Sequence, residues 1–228
     1  MSDNYWDKLS GDDEHAAEYM LTYGEGPGTL TRMVLSSFIN DGESVLDVGC
    51  GPGWNLEHFA DNGPDIDKYK GLDYSQRFVR VANQRAVSTK VDGGGFLKRL
   101  RLEDRWSDLA TLFEVGDVRD IHEADESWDV VIMQDVLEHT NGYEKPIQEA
   151  LRVARKRVII AFWHLMTKEE DNPINDDGDD GWGAWYSGPK FEQHLDSLDL
   201  HWMHHQIIDH QGKPRDFYII DKQEPHGE

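Results

Sequence analysis

The sequence has very little cysteine, few basic residues and no long apolar run. Its single cysteine, Cys50, excludes an internal disulfide framework and a cysteine-based zinc site. No apolar stretch reaches the roughly 18 residues of a transmembrane helix. The acidic segment 1–16 lacks the basic and apolar parts of a signal peptide. These absences predict a cytoplasmic protein that does not act at a membrane.

Basic residues are outnumbered, with 23 Lys and Arg against 45 Asp and Glu and a formal net charge of −22. Such a charge disfavours binding to a nucleic-acid backbone at ordinary salt. The acid is spread over the chain and is densest over 168–181. This pattern is typical of adaptation to high salt, where repulsion is screened over only ~3 Å at about 1 M. We therefore expect a halophilic protein, and in such a protein the charge alone does not exclude a nucleic-acid partner.

What the chain does have is a regular alternation of strand-like and helix-like segments. Short apolar runs predict strands at 44–49, 69–73, 113–117, 128–133 and 157–163. Apolar residues at helical spacing predict helices at 54–61, 75–87 and 144–155. Strands that alternate with helices indicate a parallel sheet with helices on both faces, an α/β fold.

The two ends of the chain differ from this core. After the fifth strand the pattern predicts a loop, a helix at 189–198 and two strands, 201–209 and 216–221. The connection between these strands is too short for a crossover, so we expect an antiparallel hairpin. We expect a single domain over 1–228, divided into a helical cap (1–43), a core (44–163) and a terminal part (164–228).

The segment Val45–Asn55, VLDVGCGPGWN, places three alternating glycines directly after the first predicted strand. A phosphate-binding P-loop would need Lys and then Ser or Thr after the glycines, where this chain has Trp54 and Asn55. A dinucleotide fingerprint would need its third glycine at Trp54, because the helix packs closely on the strand there. The remaining alternatives are an unrelated tight turn and a loop beside a ligand other than a pyrophosphate.

This segment resembles the first motif of the class I methyltransferases that use S-adenosylmethionine (SAM). Three further segments match that family in order: KGLDYS at the second strand, EVGDVRDI at the third and WDVVIMQDVLEH at the fourth. The resemblance covers about residues 43–163. It implies a Rossmann-like, doubly wound sheet of seven strands, mostly parallel with an antiparallel C-terminal hairpin. It also implies that the chain is a SAM-dependent methyltransferase.

The resemblance further implies which residues contact SAM. An acid that ends the second strand, Asp73, can accept hydrogen bonds from the ribose hydroxyls. In the family, an acid at the position of Asp117 accepts from the adenine amino group, and the next residue, Val118, lies against the ring. The full expected set is Asp47, Gly49, Cys50, Gly51, Asn55, Asp73, Tyr74, Asp117, Val118, Gln134 and Asp135.

The loop after the fourth strand narrows the class of methyl acceptor. Amino-methylating DNA enzymes carry Asp/Asn-Pro-Pro-Tyr/Phe there to hold a flipped base, and cytosine-C5 enzymes carry a Cys beside a Pro. This chain has QDVLEH, so neither DNA class is favoured. We expect transfer to an oxygen or nitrogen of a small molecule, with His139 as the catalytic base.

Asp135, Glu138 and His139 have i, i+3, i+4 spacing, which on a helix places them on one face. Three roles are open: loop structure, a base at His139, or a divalent-metal site. Quinone-biosynthesis O-methyltransferases and small-RNA 2′-O-methyltransferases hold a metal with a similar cluster, although Asp135 replaces their Glu. His164 is one candidate for the further His of the RNA enzymes. We expect no metal.

Two other functions stay open. Sequence support for an RNA 2′-O-methyltransferase comes from a basic patch in the 87–112 insert, formed by Lys98, Arg99, Arg101 and Arg105. A non-catalytic partner subunit with this fold is disfavoured by the intact acid and glycine set. In the loop after the fifth strand, Trp182, Trp185 and Tyr186 either close over a substrate or anchor the loop. Tyr23 and Arg32 are further possible cofactor contacts.

Overall fold

The computed structural model describes residues 28–91, 112–163, 170–171, 184–209 and 212–222. By internal contacts the chain divides into two compact units, Met1–Val118 and Arg119–Glu228. The expected division into cap, core and terminal part stays a prediction. Tyr23, Trp182, His164 and the basic patch of the insert lie outside the described residues.

The first unit alternates helices with parallel strands. Its described elements are α1 (Gly28–Ser36), β1 (Ser44–Val48), α2 (Trp54–Asn62), β2 (Lys68–Asp73), α3 (Gln76–Val91) and β3 (Phe113–Val115). β1 and β3 each pair with β2 in parallel. β1 is buried along its whole length. This explains why its sequence is mostly apolar and does not alternate between apolar and polar residues, as a strand with one exposed face would.

The start of α3 lies where the sequence places it. The backbone N–H of Phe78 donates to Oγ of Ser75 at 3.3 Å, and Ser75 is fully buried. A serine before the first helical residue satisfies a donor that has no partner within the helix. Ser75 therefore caps the helix, which continues to Val91 instead of ending at 87.

The second unit holds two parallel strands and the terminal hairpin. Its described elements are β4 (Trp128–Gln134), the 3₁₀ turn η1 (Leu137–His139), α4 (Glu144–Val153), β5 (Ala154–Phe162), α5 (Gly188–Asp196), β6 (His201–Ile208) and β7 (Pro214–Asp221). β4 and β5 are parallel, whereas β7 is antiparallel to both β5 and β6. The core of this unit contains large buried aromatic residues, among them Trp128, Phe162, Phe191 and Phe217.

The predicted fold class is confirmed. The seven strands form a mixed sheet, with the order β3-β2-β1 in the first unit and β4-β5-β7-β6 in the second. The C-terminal strands form the expected antiparallel hairpin. Among the described helices, none has both the length and the hydropathy that crossing a membrane requires.

The boundary between α4 and β5 differs from the prediction. The helix was expected to reach 155 and the strand to begin at 157, but the strand begins at Ala154. Arg155 and Lys156 belong to the strand and form ion pairs with Asp129 at 3.5 and 3.3 Å. Because these charged residues resemble the polar face of the preceding helix, the sequence pattern hides the start of the strand.

Candidate functional site

The loop between β1 and α2 requires glycine at three positions. The φ angles of Gly49, Gly51 and Gly53 are 76°, 52° and 86°, all in the left-handed region that side chains disfavour. The N–H groups of Gly49 and Cys50 both donate to the carbonyl of Leu72, at 2.7 and 3.0 Å. The alternating glycines of the sequence therefore form a turn that folds back onto the end of β2.

Asp73 joins the end of β2 to this loop. Its Oδ2 accepts from the N–H of Gly51 and its Oδ1 from the N–H of Ser75, both at 2.8 Å. The side chain is half-buried. The residue predicted to bind a ribose thus also holds the glycine loop in place.

The residues around the open side of the loop fit SAM. A Cβ added to Gly51 would meet no atom of the described residues within 4 Å, so no described side chain fills the space beside this glycine. Tyr74 is 44% exposed, and Asp117 and Val118 are half-buried after β3. An acid, an aromatic ring and an apolar side chain at strand ends suit a nucleoside.

Asp47 lies behind the loop. It is fully buried, its Oδ2 accepts from the Tyr69 hydroxyl at 2.6 Å, and the Asn55 amide donates to both its oxygens at 3.2 Å. Burial raises the pKa of Asp47 to about 7, against the opposing effect of these hydrogen bonds. These bonds tie together β1, β2 and α2. Cofactor contact by Asp47 and Asn55 stays a prediction, since their described partners are each other and Tyr69.

Cys50 packs against a glycine that sequence reasoning missed. Its side chain is buried, and burial raises the pKa of the thiol well above its ordinary value. A Cβ on Gly71 would lie 2.9 Å from the Cys50 sulfur and 2.4 Å from a ring carbon of Phe113. Gly71 is therefore needed for close packing around Cys50, and contact of Cys50 with the cofactor stays a prediction.

Trp54, the residue that excluded a dinucleotide fingerprint, is packed by arginines. The guanidinium carbon of Arg85 lies 3.6 Å from the centre of its ring, and that of Arg32 lies 5.7 Å away. Arg85 also donates to the Pro52 carbonyl at 3.2 Å and forms an ion pair with Glu57. Arg85 thus fixes the loop to α2 and α3, and no sequence motif pointed to it.

In the second unit, the segment after β4 is not the helix that the i, i+3, i+4 spacing assumes. Asp135 has a φ of 53°, and its N–H donates to the carbonyl of Ala161 at 2.8 Å. Only a single 3₁₀ turn, Leu137–His139, follows. The prediction that Asp135, Glu138 and His139 share a helical face is wrong. Within the described ranges, His, Cys, Asp and Glu side chains form no cluster of three suited to a metal ion.

Glu138 is the most unusual residue of this segment. It is 8% exposed, and its Oε1 accepts from the N–H of Trp163 at 2.6 Å. Its Oε2 is buried and has no hydrogen-bond partner in the part of the chain that the structure describes. Burial, and then the charge of Asp135, raises the pKa of Glu138 to about 8. The carboxyl group is therefore mostly protonated at pH 7.

A buried arginine from β7, Arg215, lies near Asp135 and acts on the pKa of Glu138. Nη1 of Arg215 lies 3.6 Å from Oδ1 of Asp135, and its Nε lies 3.3 Å from Oδ2 of Asp209. Arg215 lowers the pKa of Glu138, against the larger effect of burial. Sequence reasoning missed Asp209 and Arg215, because the hairpin was interpreted by its strand pattern alone.

The remaining predicted site residues divide by position. Gln134 is half-buried at the end of β4, and its side-chain oxygen has no hydrogen-bond partner in the described ranges. His139 is half-buried at the end of η1. Tyr186 is buried, with its hydroxyl donating to the Thr140 carbonyl at 2.6 Å, so it anchors its loop. Trp185 is 43% exposed. Roles in cofactor binding for Gln134 and Asp135, and in catalysis for His139, stay predictions.

Comparison with known proteins finds a methyltransferase family and two plant relatives. A family model described as a methyltransferase domain matches residues 46–162. Ajmaline N-methyltransferase of Rauvolfia serpentina is 31% identical over 174 residues, which cover 70% of this chain and 54% of that protein. Norajmaline N-methyltransferase of the same plant is 30% identical over 125 residues, 54% of this chain and 37% of that protein. The chain thus spans about half the length, or less, of these curated relatives.

A solved structure shows the same fold at low identity. Magnesium protoporphyrin IX methyltransferase from Synechocystis PCC 6803, solved with bound SAM, matches with a TM-score of 0.60 and 17% identity. The match covers 96% of this chain and 89% of that one.

Proposed function

The chain belongs to the methyltransferase-domain family of class I SAM-dependent methyltransferases, and from this premise we propose that it methylates a nitrogen or oxygen of a small molecule. The hydrogen bond from the N–H of Gly51 to the Asp73 carboxylate is the observation that supports the cofactor part of the proposal, because it places an acid beside the glycine loop. Two relatives named as N-methyltransferases support the acceptor part.

The family match confirms the predicted enzyme class and its cofactor, SAM. SAM supplies a methyl group on a positively charged sulfur. In our proposal, the Asp73 carboxylate accepts from the ribose hydroxyls and Asp117 from the adenine amino group. Tyr74 and Val118 border the adenine ring, and the backbone at Gly49 and Gly51 borders the methionine part. The predicted contacts of Gln134 and Asp135 belong to the same proposal.

The RNA alternative has weaker support. The net charge of −22 repels a phosphate backbone at ordinary salt. A small molecule has few phosphates or none, so the same charge opposes it less. We therefore retain small-molecule methylation as the function that these observations favour.

Calorimetry and a labelling assay test this proposal. In concentrated KCl, the full chain should bind SAM and S-adenosylhomocysteine. Incubation with methyl-tritiated SAM and a pool of small amines and alcohols should label a small molecule, and EDTA should leave the rate unchanged. Total RNA is the control and should stay unlabelled. Labelled RNA would favour the RNA alternative, whereas activity that EDTA abolishes and Mg²⁺ restores would contradict the expectation that no metal takes part. A folded protein that does not bind SAM would contradict the cofactor assignment.

A further inference from the structure

The carboxyl group of Glu138 is held by one oxygen and has the other available for a ligand. Oε1 is fixed by the N–H of Trp163 at 2.6 Å, and the Glu138 carbonyl accepts from the N–H of Ala184 at 2.5 Å. Oε2 is buried without a hydrogen-bond partner among the described residues. A buried acceptor without a donor costs free energy, and a ligand that donates to it removes that cost. Glu138 therefore has an oxygen suited to an N–H or O–H donor.

The place of Glu138 in the fold is where ligands bind. β4 and β5 are parallel, with Gln134 opposite Ala161 near their carboxyl ends. Glu138 follows the end of β4, and Trp163 follows the end of β5. Ligands of open α/β sheets bind outside the carboxyl ends of the strands. The hydrogen bond between Glu138 and Trp163 thus lies at the ligand-binding edge of this unit.

The charges around Glu138 favour a cation over an anion. Glu138 lies close enough to Asp135 that the charge of Asp135 raises the pKa of Glu138, and one arginine, Arg215, lies near Asp135 and also pairs with Asp209. When an ammonium group binds and Glu138 is ionised, the carboxylates of Glu138 and Asp135 outnumber this arginine. An ammonium group gains from this field, whereas an alcohol of the same shape does not.

We propose that Glu138 recognises an amine acceptor, with its Oε2 accepting the N–H of the nitrogen that is methylated. The proposal rests on the proposed function and makes its substrate class specific. The bound ammonium group first passes a proton to Oε2, which leaves a lone pair on the nitrogen. This lone pair then forms the bond to the methyl carbon, and the sulfur keeps the electron pair of the broken bond. Two exposed tryptophans are close to these hydrogen bonds. Trp163, which is 41% exposed, donates its N–H to Glu138. Trp185, which is 43% exposed, directly follows Ala184, whose N–H donates to the Glu138 carbonyl. They favour an amine that carries an aromatic ring.

Protonation gives the proposal a measurable signature. Because the pKa of Glu138 is about 8, a carboxyl group and an ammonium group each carry a proton before binding at pH 7. In the complex the two groups form a carboxylate–ammonium pair, which holds one proton fewer than the separate groups. Binding at pH 7 therefore releases about one proton to the solvent. Of the other groups near Glu138, Tyr186 stays neutral because burial raises its pKa. Lys213 is exposed and lies over the Trp163 ring at 5.3 Å, where solvent screens its charge.

The experiment compares tryptamine with tryptophol, which has a hydroxyl in place of the amine. Both are titrated by calorimetry into the full chain, with and without S-adenosylhomocysteine, in two buffers of different ionisation enthalpy. The wild type should bind tryptamine about tenfold or more tighter than tryptophol, because one partner of the hydrogen bond is charged. Binding at pH 7 should release about one proton, and the release should fall towards zero above about pH 9.

Glu138→Gln, which is nearly isosteric, should lose both the tryptamine preference and the proton release. Glu126→Gln is the matched control, because Glu126 is an exposed carboxylate of the same unit paired with Lys222. Equal affinities of the wild type for both probes, or no tryptamine binding, would overturn the proposal, as would a preference that survives in Glu138→Gln. If Glu138→Gln does not fold, the wild type alone tests the proposal: binding of tryptamine at pH 7 without proton release would overturn it. Binding of S-adenosylhomocysteine is measured separately in every variant, so failure of the cofactor assignment is distinguishable.

Discussion

Replacement of Asp73 by Asn tests whether one carboxylate both shapes the loop and binds the cofactor. In the wild type, two N–H groups donate to two different oxygens, Gly51 to Oδ2 and Ser75 to Oδ1. Asn keeps the shape of the side chain but has one oxygen, so one of these N–H groups must face an amide N–H₂. The variant therefore loses one hydrogen bond to a charged acceptor and gains a repulsive contact.

The magnitude follows from the geometry. A hydrogen bond to a charged group contributes about 1.5–3 kcal/mol, and half-burial of Asp73 favours the lower end, so we expect a loss of about 1–2 kcal/mol in unfolding free energy. For a chain of this length, each kcal/mol lowers the melting temperature by about 2–4 °C. Loss of charge-assisted bonds to the ribose should weaken SAM by ~2 kcal/mol, or about 30-fold.

Thermal unfolding and SAM calorimetry in concentrated KCl measure both effects. Asp67→Asn is the matched control, because Asp67 is an exposed acid of the same unit that directly precedes β2. The control should change neither quantity. A variant with lower stability but unchanged SAM affinity would show that Asp73 only supports the loop. Unchanged stability would refute the inference that the two N–H contacts stabilise it.

Two further predictions concern pH and salt. The pKa of Asp47 is raised from 3.8 to about 7, so the folded state binds this proton more tightly than the unfolded state. The unfolding free energy should therefore fall as pH rises from about 4 to 7, and Asp47→Asn should reduce that fall in urea unfolding at pH 5 and pH 8. An identical pH dependence in both proteins would contradict this. Thermal stability should also rise as KCl increases from about 0.1 M to above 1 M, because salt screens the repulsion that a net charge of −22 produces. A melting temperature that stays flat or falls would count against a halophilic origin.

The sequence predicts the fold well because its signals are local. Apolar runs, helical spacing and the short connection in the hairpin each depend on neighbouring residues. The glycine loop and Asp73 are predictable for the same reason, since the motif itself requires the turn. The contacts of Arg85 with Glu57 and of Arg215 with Asp135 are not predictable, because these partners are distant in sequence and only the folded chain brings them together. The shared face of Asp135, Glu138 and His139 fails because the spacing argument holds only for helical backbone, and Asp135 has a φ of 53°.

The glycine loop has a consequence for nucleotide selectivity. The backbone N–H groups of residues 49–53 all have acceptors within the loop or at the end of β2. Gly49 and Cys50 donate to the Leu72 carbonyl, Gly51 to the Asp73 carboxylate and Gly53 to the Cys50 carbonyl. Pro52 has no N–H. A phosphate placed here would meet no backbone donor from these residues, and it would be repelled by Asp73. This arrangement is the reverse of a phosphate-binding loop, in which N–H groups point at the anion. We therefore expect the loop to discriminate against ATP and dinucleotides and to admit a nucleoside that carries positive rather than negative charge.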